Sequence, residues 1–355
     1  MSLRRPASRG TAAAALGVAA ALFLAACGGG AGSSGGSGGS DGAKKDESGK
    51  KKDVAVGGKD FGDAAARTAA MGTDAKPGQF PRTLTHALGT TELKAAPKRV
   101  VVLDVGEFDN VVSLGIKPVG YAPSEGDDGI PGYLKKDAGQ PKSVGTINNL
   151  NLEAIANLQP DLILGSQLRA ADKYDELSKI APTVFSIRPG FTWKENYLLN
   201  AAALDRTAEA KAKLAAYETK ARQLGTDIGP NKPTVSMVRY LPGKIRLYAK
   251  ASFIGTILDD AGLPRPVNQQ VNDLAVEVSP EKIDQADGDW IFTGVYGDPK
   301  ATKRDTARAN PLWKNLKAVR AGQAKDVPDE TWYLGLGVTA ANSVLDDLRA
   351  DLVKK

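Results

Sequence analysis

Three observations predict an α/β fold of two lobes joined by a long helix. Uninterrupted apolar runs, such as Arg99-Val-Val-Val-Leu103, alternate with helical stretches over residues 97–187, as in a parallel sheet buried on both faces. The alternation restarts after Gly229-Pro230. Between the two series, residues 193–224 contain neither Pro nor Gly and are rich in Ala, Leu, Lys and Glu, which places the longest helical region between two α/β units.

The first unit opens at residues 83–94, whose alternation around Gly89-Thr90 predicts a hairpin. His86 lies in it and is expected at the surface. After Pro97 the order is strand 99–103, helix 107–114 ended by Gly115, strand 118–121, helix 151–158, strand 161–164, helix 172–179 and strand 183–187. In the bridging region Leu214, Tyr217, Ala221 and Leu224 recur at helical spacing. A break at Asp205-Arg206 with Thr207 as cap leaves about 18 residues, roughly 27 Å of helix. The second unit reads as strands 234–240 and 244–249 around Pro242-Gly243, helix 252–261, and a helix 281–286 capped by Ser279 with Pro280 at its first position. Strand 290–293, helix 311–316 and a last helix 338–352 follow. Gly335-x-Gly337-x-x-Ala340 imitates a dinucleotide fingerprint, but no strand carrying an acid can follow it.

At the N-terminus Arg4, Arg5 and Arg9 precede an apolar segment, 11–26, that ends in Leu24-Ala-Ala-Cys27. This is the layout of a secretory signal, and it is shorter than the roughly 17–25 residues a bilayer crossing needs. Gly and Ser dominate residues 28–40, and Lys, Asp, Glu and Gly dominate 41–60; neither stretch can bury apolar area against its ordering entropy. The expected organisation is signal 1–27, tether 28–79, N-terminal lobe 80–192, interlobe helical region 193–228 and C-terminal lobe 229–355.

Composition excludes several classes of function. The chain has 355 residues with one Cys and one His, so neither a disulfide nor a His-built metal site is available. The net charge of +6 contracts when residues 1–27 leave with three Arg and no acid: 44 basic side chains then face 41 acidic ones, or +3. That surface makes no case for nucleic acid. The body has no Gly-rich phosphate loop and no placed Cys or His nucleophile pair. Gly32-x-Ser34-x-Gly36 lies in the tether, without the strand and helix of a nucleophile elbow. A lipid-anchored enzyme relying on scattered Asp and Glu is the alternative from another class.

Several segments carry a family resemblance: Pro97-Lys-Arg-Val-Val-Val-Leu103, Leu114-Gly-Ile-Lys-Pro-Val-Gly120, Asn151-Leu-Glu-Ala-Ile-Ala156 with Gln159-Pro-Asp-Leu-Ile163, and Pro311-Leu-Trp-Lys-Asn-Leu-Lys-Ala-Val319. In this order, behind the Cys27 motif and tether, the chain resembles the ferric-siderophore-binding lipoproteins of ABC importers, whose fold is the class III periplasmic-binding-protein fold. Ser252-Phe-Ile-Gly-Thr-Ile-Leu258 with Gly262-Leu-Pro-Arg265 is similar to the actinobacterial branch that takes hydroxamates such as ferrioxamine. The resemblance implies lipidation at Cys27, attachment to the outer face of the cell membrane, a monomer, and delivery of the ligand to an ABC permease in the cytoplasmic membrane without catalysis. It also implies that Glu153 and Glu281 dock into the permease. An acid in a first helical turn also answers the helix dipole, worth about 0.3–1 kcal/mol. Haem or cobalamin is the alternative ligand within the same fold, and haem would take its axial ligand from Tyr240 or Tyr296.

A ferric siderophore brings its iron already coordinated, so the protein needs no cofactor or metal ligand, only donors and apolar walls. Arg and aromatics suit that task, and ligands of α/β lobes gather at strand carboxyl ends. The residues expected there are Arg188 with Trp193, Arg239, Tyr296, Trp332, Phe108 and Arg169, joined by Tyr248 and Phe253. Arg239 and Tyr240 point to opposite faces, and Arg239 is the one expected in the cleft. Trp290 and Trp313 are assigned to the core, and Arg246 to a strand surface.

Overall fold

The computed structural model of the chain describes residues 61–124 and 129–353. The signal, Cys27 and residues 28–60 of the tether lie outside the described residues. No described helix is long and apolar enough to cross a membrane.

A short helix α1 (Ala64–Ala69) precedes an antiparallel hairpin, β1 (Arg82–His86) and β2 (Gly89–Leu93). Then come β3 (Val100–Val102), α2 (Val105–Ser113), β4 (Gly120–Tyr121), β5 (Lys142–Ser143), the small pair β6 (Gly145–Thr146) and β7 (Asn149–Leu150), and α3 (Leu152–Asn157). β8 (Leu162–Ser166), α4 (Gln167–Ala170), α5 (Tyr174–Ile180) and β9 (Thr183–Ser186) complete the lobe. Its sheet has the order β5-β4-β3-β8-β9 and is parallel throughout. The apolar runs serve both faces: Val100 and Val102 enter one core, Val101 and Leu103 another.

Two helices bridge the lobes, α6 (Trp193–Ala203) and α7 (Thr207–Ile228). Asp205 breaks them apart with φ 58°, its carboxylate taking the Arg82 guanidinium at 2.6 Å. α7 has 22 residues, roughly 33 Å, which is longer than expected at both ends. Arg206, not Thr207, is its cap. It runs through Gly225 because a Cβ there would lie 2.3 Å from the Ala261 carbonyl, so glycine serves close helix packing rather than termination.

The C-terminal lobe holds β10 (Val235–Leu241), β11 (Lys244–Tyr248), α8 (Phe253–Asp260), β12 (Ala275–Val278), β13 (Trp290–Val295), α9 (Arg304–Ala309), α10 (Pro311–Asn315), α11 (Lys317–Arg320), β14 (Ala324–Asp326), α12 (Asp329–Trp332) and α13 (Val338–Leu352). The order is β12-β11-β10-β13-β14. This sheet is mixed, not parallel: Pro242-Gly243 turns the chain straight back so that Leu241 faces Lys244, and β12 adds a second antiparallel partner. Residues 280–286 form 3-10 rather than α-helix, and Ser279 makes no side-chain cap bond.

One apolar core passes from Val100 and Val102 through α2, α6, α7, α8 and α13 to Val235, Met237 and Phe292. The two lobes are thus joined by packed helices, not by crossing strands. Residues 61–79 correct the expected tether: Phe61, Ala64 and Thr68 are buried, and α1 packs on α6. Trp313 is buried and Trp290 half-buried, while Arg246 is also buried, paired with Glu277 at 3.0 Å, and not a surface charge.

His86 is likewise buried, not at the surface. Its Nδ1 accepts the Leu88 N–H at 3.3 Å, which leaves Nε2–H to donate to Thr91 Oγ1 at 3.0 Å while that hydroxyl donates to Thr183 O. Burial lowers its pKa to about 4. Between the ordinary value near 6.5 and 4, the unfolded chain takes up a proton that the folded one refuses, so this stability term is full above pH 6.5 and shrinks with acidification. Urea midpoints at pH 7.5 and 5.0 should show wild type losing its advantage over His86→Gln at the lower pH; an advantage equal at both would contradict the assignment.

Candidate ligand-binding site

β3 and β8 pair with Val102 opposite Leu164, so Asp104 and Ser166, each two residues further on, lie side by side at the carboxyl edge of the N-terminal sheet. Asp104 starts α2 by accepting the Val105 N–H at 2.7 Å, and its other oxygen takes Arg169 Nε at 2.9 Å. Both side chains are buried. One turn along α2 the carboxyl of Glu107 is 1% exposed. Burial, with Asp104 beside it, pushes this carboxyl up to about 8, against the pull of Arg169. Glu107 Oε2, Ser166 Oγ and Gln167 Oε1 are buried without a hydrogen-bond partner among the described residues.

At the matching edge of the C-terminal sheet, Arg239 shares a strand face with Val235 and Met237, whereas Tyr240 turns into the outer core. The Arg239 guanidinium donates to both oxygens of Asp329, at 2.7 and 2.5 Å, and to the Tyr248 hydroxyl at 3.1 Å. Its carbon lies 4.8 Å from the Tyr296 ring and 5.5 Å from that of Tyr333. Gly294, opposite Arg239 in the sheet, has to be glycine: a Cβ would stand 2.6 Å from Tyr333 and 2.8 Å from Asp329.

The segment that carries Asp329 also reaches the other lobe. Glu330 accepts the Gly132 N–H at 3.0 Å, and the Tyr133 hydroxyl donates to Gly335 O at 3.2 Å. Asp109 of α2 accepts the Thr339 and Ala340 N–H groups at 3.0 and 2.9 Å, capping α13 from across the interface. Burial pushes its carboxyl up to about 6 against those two bonds. Leu336 adopts φ 51° and its carbonyl sits on Gly106. The carboxyl ends of both sheets therefore meet across one seam, with Arg169 on one side and Arg239 on the other.

Of the expected residues, Arg239, Tyr248 and Tyr296 are brought together, and Arg169 stands on the facing lobe. Four aromatics are not at a ligand surface. Trp193 is fully buried, donating to Thr256 at 2.9 Å and meeting Tyr217 and Phe253 edge-on, and Phe253 belongs to the same core. Trp332 is fully buried, bonded to Asp347 at 2.8 Å and stacked on Phe292. Phe108 stacks on Tyr121 with centroids 4.2 Å apart and has no exposed surface. Each of these rings is committed to partners inside the apolar core. Arg188 is covered by the rings of Phe61 and Phe191, at 4.4 and 5.5 Å, beyond edge strand β9. Sequence reasoning missed Asp104, Glu107, Asp329 and Tyr333. The available signal was an acid directly after an apolar run, as in Leu103-Asp104.

Glu153 and Glu281 are both exposed in first helical turns. The Ser279 hydroxyl and its own N–H hold the Glu281 carboxyl below the usual range.

Two α/β lobes on a helical bridge, with donors and rings at a shared seam of strand ends, define a solute-binding protein of the class III periplasmic fold. The chain belongs to the periplasmic binding protein family, which it matches over residues 100–331. It is 38% identical over 292 residues to the probable siderophore-binding lipoprotein YfiY of Bacillus subtilis, covering 77% of this chain and 88% of that protein. The Fe(3+)-citrate-binding protein YfmC of the same organism is 33% identical, with 75% and 84% covered. The crystal structure of Staphylococcus aureus SirA with staphyloferrin B superposes with a TM-score of 0.68 at 34% identity, over 76% of this chain and 98% of SirA. These relatives are binding proteins, not enzymes.

Removing one partner of a buried ion pair strands the other, at about 3–5 kcal/mol. Asp329→Ala should therefore lower unfolding stability by about that amount in urea titrations, whereas Tyr296→Ala, on a half-buried ring, should cost about 1 kcal/mol or less. Equal losses would mean that Asp329 does not neutralise Arg239.

Proposed function

We propose that this protein is the extracytoplasmic, substrate-binding component of an ABC importer that captures a ferric siderophore, with a hydroxamate chelate as its preferred cargo. Membership of the family and the names of its relatives support the general reading. The observation that carries the finer one is charge balance at the seam. Each guanidinium is matched by its own carboxylate, Arg169 by Asp104 and Arg239 by Asp329, and burial favours the uncharged form of Glu107. Counted with Asp109 and Glu330, which lie at the same seam, these residues leave no surplus positive charge. Three hydroxamates carry three negative charges and leave Fe(III) neutral, whereas three catecholates carry six and leave the complex at −3. A partly aromatic seam without surplus cations suits the neutral complex, because a trianion would need unmatched cations to offset its desolvation.

Iron stays in the siderophore's own coordination sphere, and the protein contributes hydrogen bonds and the Tyr296 ring. Cys27 supplies the lipid anchor, and the acyl chains attached there hold the protein to the membrane. Glu153 and Glu281, one on each lobe, meet the permease.

Absorbance and fluorescence titrations with ferrioxamine, a ferric tris-catecholate, ferric citrate, haem and iron alone test the ligand. Ferrioxamine should bind about tenfold or more tightly than the tris-catecholate, a difference of about 1.4 kcal/mol. Flat titrations with every ferric chelate, or saturation by haem alone, would defeat the proposal. A Glu153→Ala, Glu281→Ala double variant should keep its affinity and stop uptake in cells; weakened binding would count against the docking role.

A further inference from the structure

The N-terminal side of the seam contains one carboxyl group that its surroundings leave over. Asp104 is complete: one oxygen has the Val105 N–H and the other has Arg169. Glu107 shares that guanidinium's field but has no ion-pair contact of its own among the described residues, is 1% exposed, and keeps Oε2 unpartnered. A second carboxylate enclosed beside the first, with one cation between them, is a state the interior disfavours. Holding a proton removes the conflict, and no acceptor for that hydrogen lies within hydrogen-bond distance of Oε2 among the described residues. Ser166 Oγ and Gln167 Oε1, buried at the adjoining end of β8, are also unpartnered. Three open hydrogen-bonding groups at one edge call for an oxygen-bearing visitor.

We propose that Glu107 stands in the site as a neutral carboxylic acid and donates its hydrogen to an oxygen of the bound chelate, making it a specificity-determining residue. This rests on the siderophore reading and deepens it. A neutral acid adds a donor without adding charge. Ionised, it would leave two carboxylates against the single Arg169 and repel the oxygen shell of the ligand. The charged groups that act on Glu107 are Asp104 and Arg169. Of the helices packed on α2, α6 brings the Tyr197 hydroxyl to Ser113 and α13 brings backbone N–H groups to Asp109. The segment that lies on Gly106, at Leu336, is uncharged.

The test uses a cyclic ferric tris-hydroxamate, which has no titratable group of its own, with the full mature protein from pH 6 to 9.5. Wild-type affinity should be level up to about pH 7 and then fall, approaching tenfold per pH unit above pH 8. Glu107→Gln keeps a neutral donor at every pH, so it should bind within about threefold of wild type at pH 7 and stay level to pH 9.5. Glu107→Leu should be level too, but about tenfold weaker throughout. Infrared difference spectra of the ligand-free proteins, wild type minus Glu107→Gln at pH 7, should show a carboxylic-acid carbonyl band that disappears at pH 9.5. Binding with equal pH slopes in wild type and Glu107→Gln, or a missing band, overturns the donor role and leaves the siderophore reading intact. A band present while no ferric chelate binds at any pH overturns both.

Discussion

A guanidinium in a dry seam must be neutralised where it stands, and that requirement organises the structure around the strand ends. Arg239 is not a spare donor waiting in a cleft. Its fork is matched to Asp329 through two bonds and to Tyr248 through a third, and the bidentate geometry fixes both the side chain and the short helix that carries Asp329. That helix in turn carries Glu330, whose bond to Gly132 ties it to the other lobe. Gly294 follows from the same demand, since no larger residue leaves room for Tyr333 and Asp329 against the sheet. A chain of single-residue constraints thus runs from one buried charge to the contact between lobes.

The helical bridge makes that contact reproducible. Because α2, α6, α7, α8 and α13 share one core with a face of each sheet, separating the lobes widely would expose packed apolar area at about 25 cal/mol per Å². Asp109 adds a directional element, capping α13 from the opposite lobe with the Gly337 backbone pressed against it. A seam formed in advance spares a ligand much of the ordering entropy that closing two loose lobes would require. Tight capture without a catalysed step needs this kind of preorganisation.

Fold class was readable because it rests on features that tertiary context seldom overrides. Continuous apolar runs such as Val100 to Leu103 have no stable place except between two layers, and the stretch without Gly or Pro from Trp193 to Leu224 had to be helical. What escaped the sequence depends on which neighbours meet. Gly225 looks like a stop and is a packing contact; β12 is an edge strand with only Val278 buried, so it carries little alternation. His86 and Phe61 lie in segments of polar or mixed composition and become buried only because α5 and the 188–191 loop cover them. Arg239 and Tyr296 lie together at the strand ends where residue type and spacing placed them, whereas Trp193 and Trp332 lie in the core. A large ring scores equally as a wall or as core, and only its partners, Thr256 for Trp193 and Asp347 for Trp332, decide. The acids were overlooked because a search for ligand donors omits the groups that hold those donors in place.

Pairing Arg169 and Arg239 within the protein also bears on how the proposed site would discriminate. Unmatched arginines would attract any oxygen-rich anion, and their long-range field would draw many solutes with little regard to shape. Matched ones offer only the hydrogens left over from their pairs, and these act over hydrogen-bond distances. In the proposed site, selection would then come from where neutral donors and the Tyr296 ring sit relative to the ligand's oxygens, so shape and hydrogen-bond register would count for more than total charge. Under the proposed function, a site built this way gives up encounter rate for selectivity.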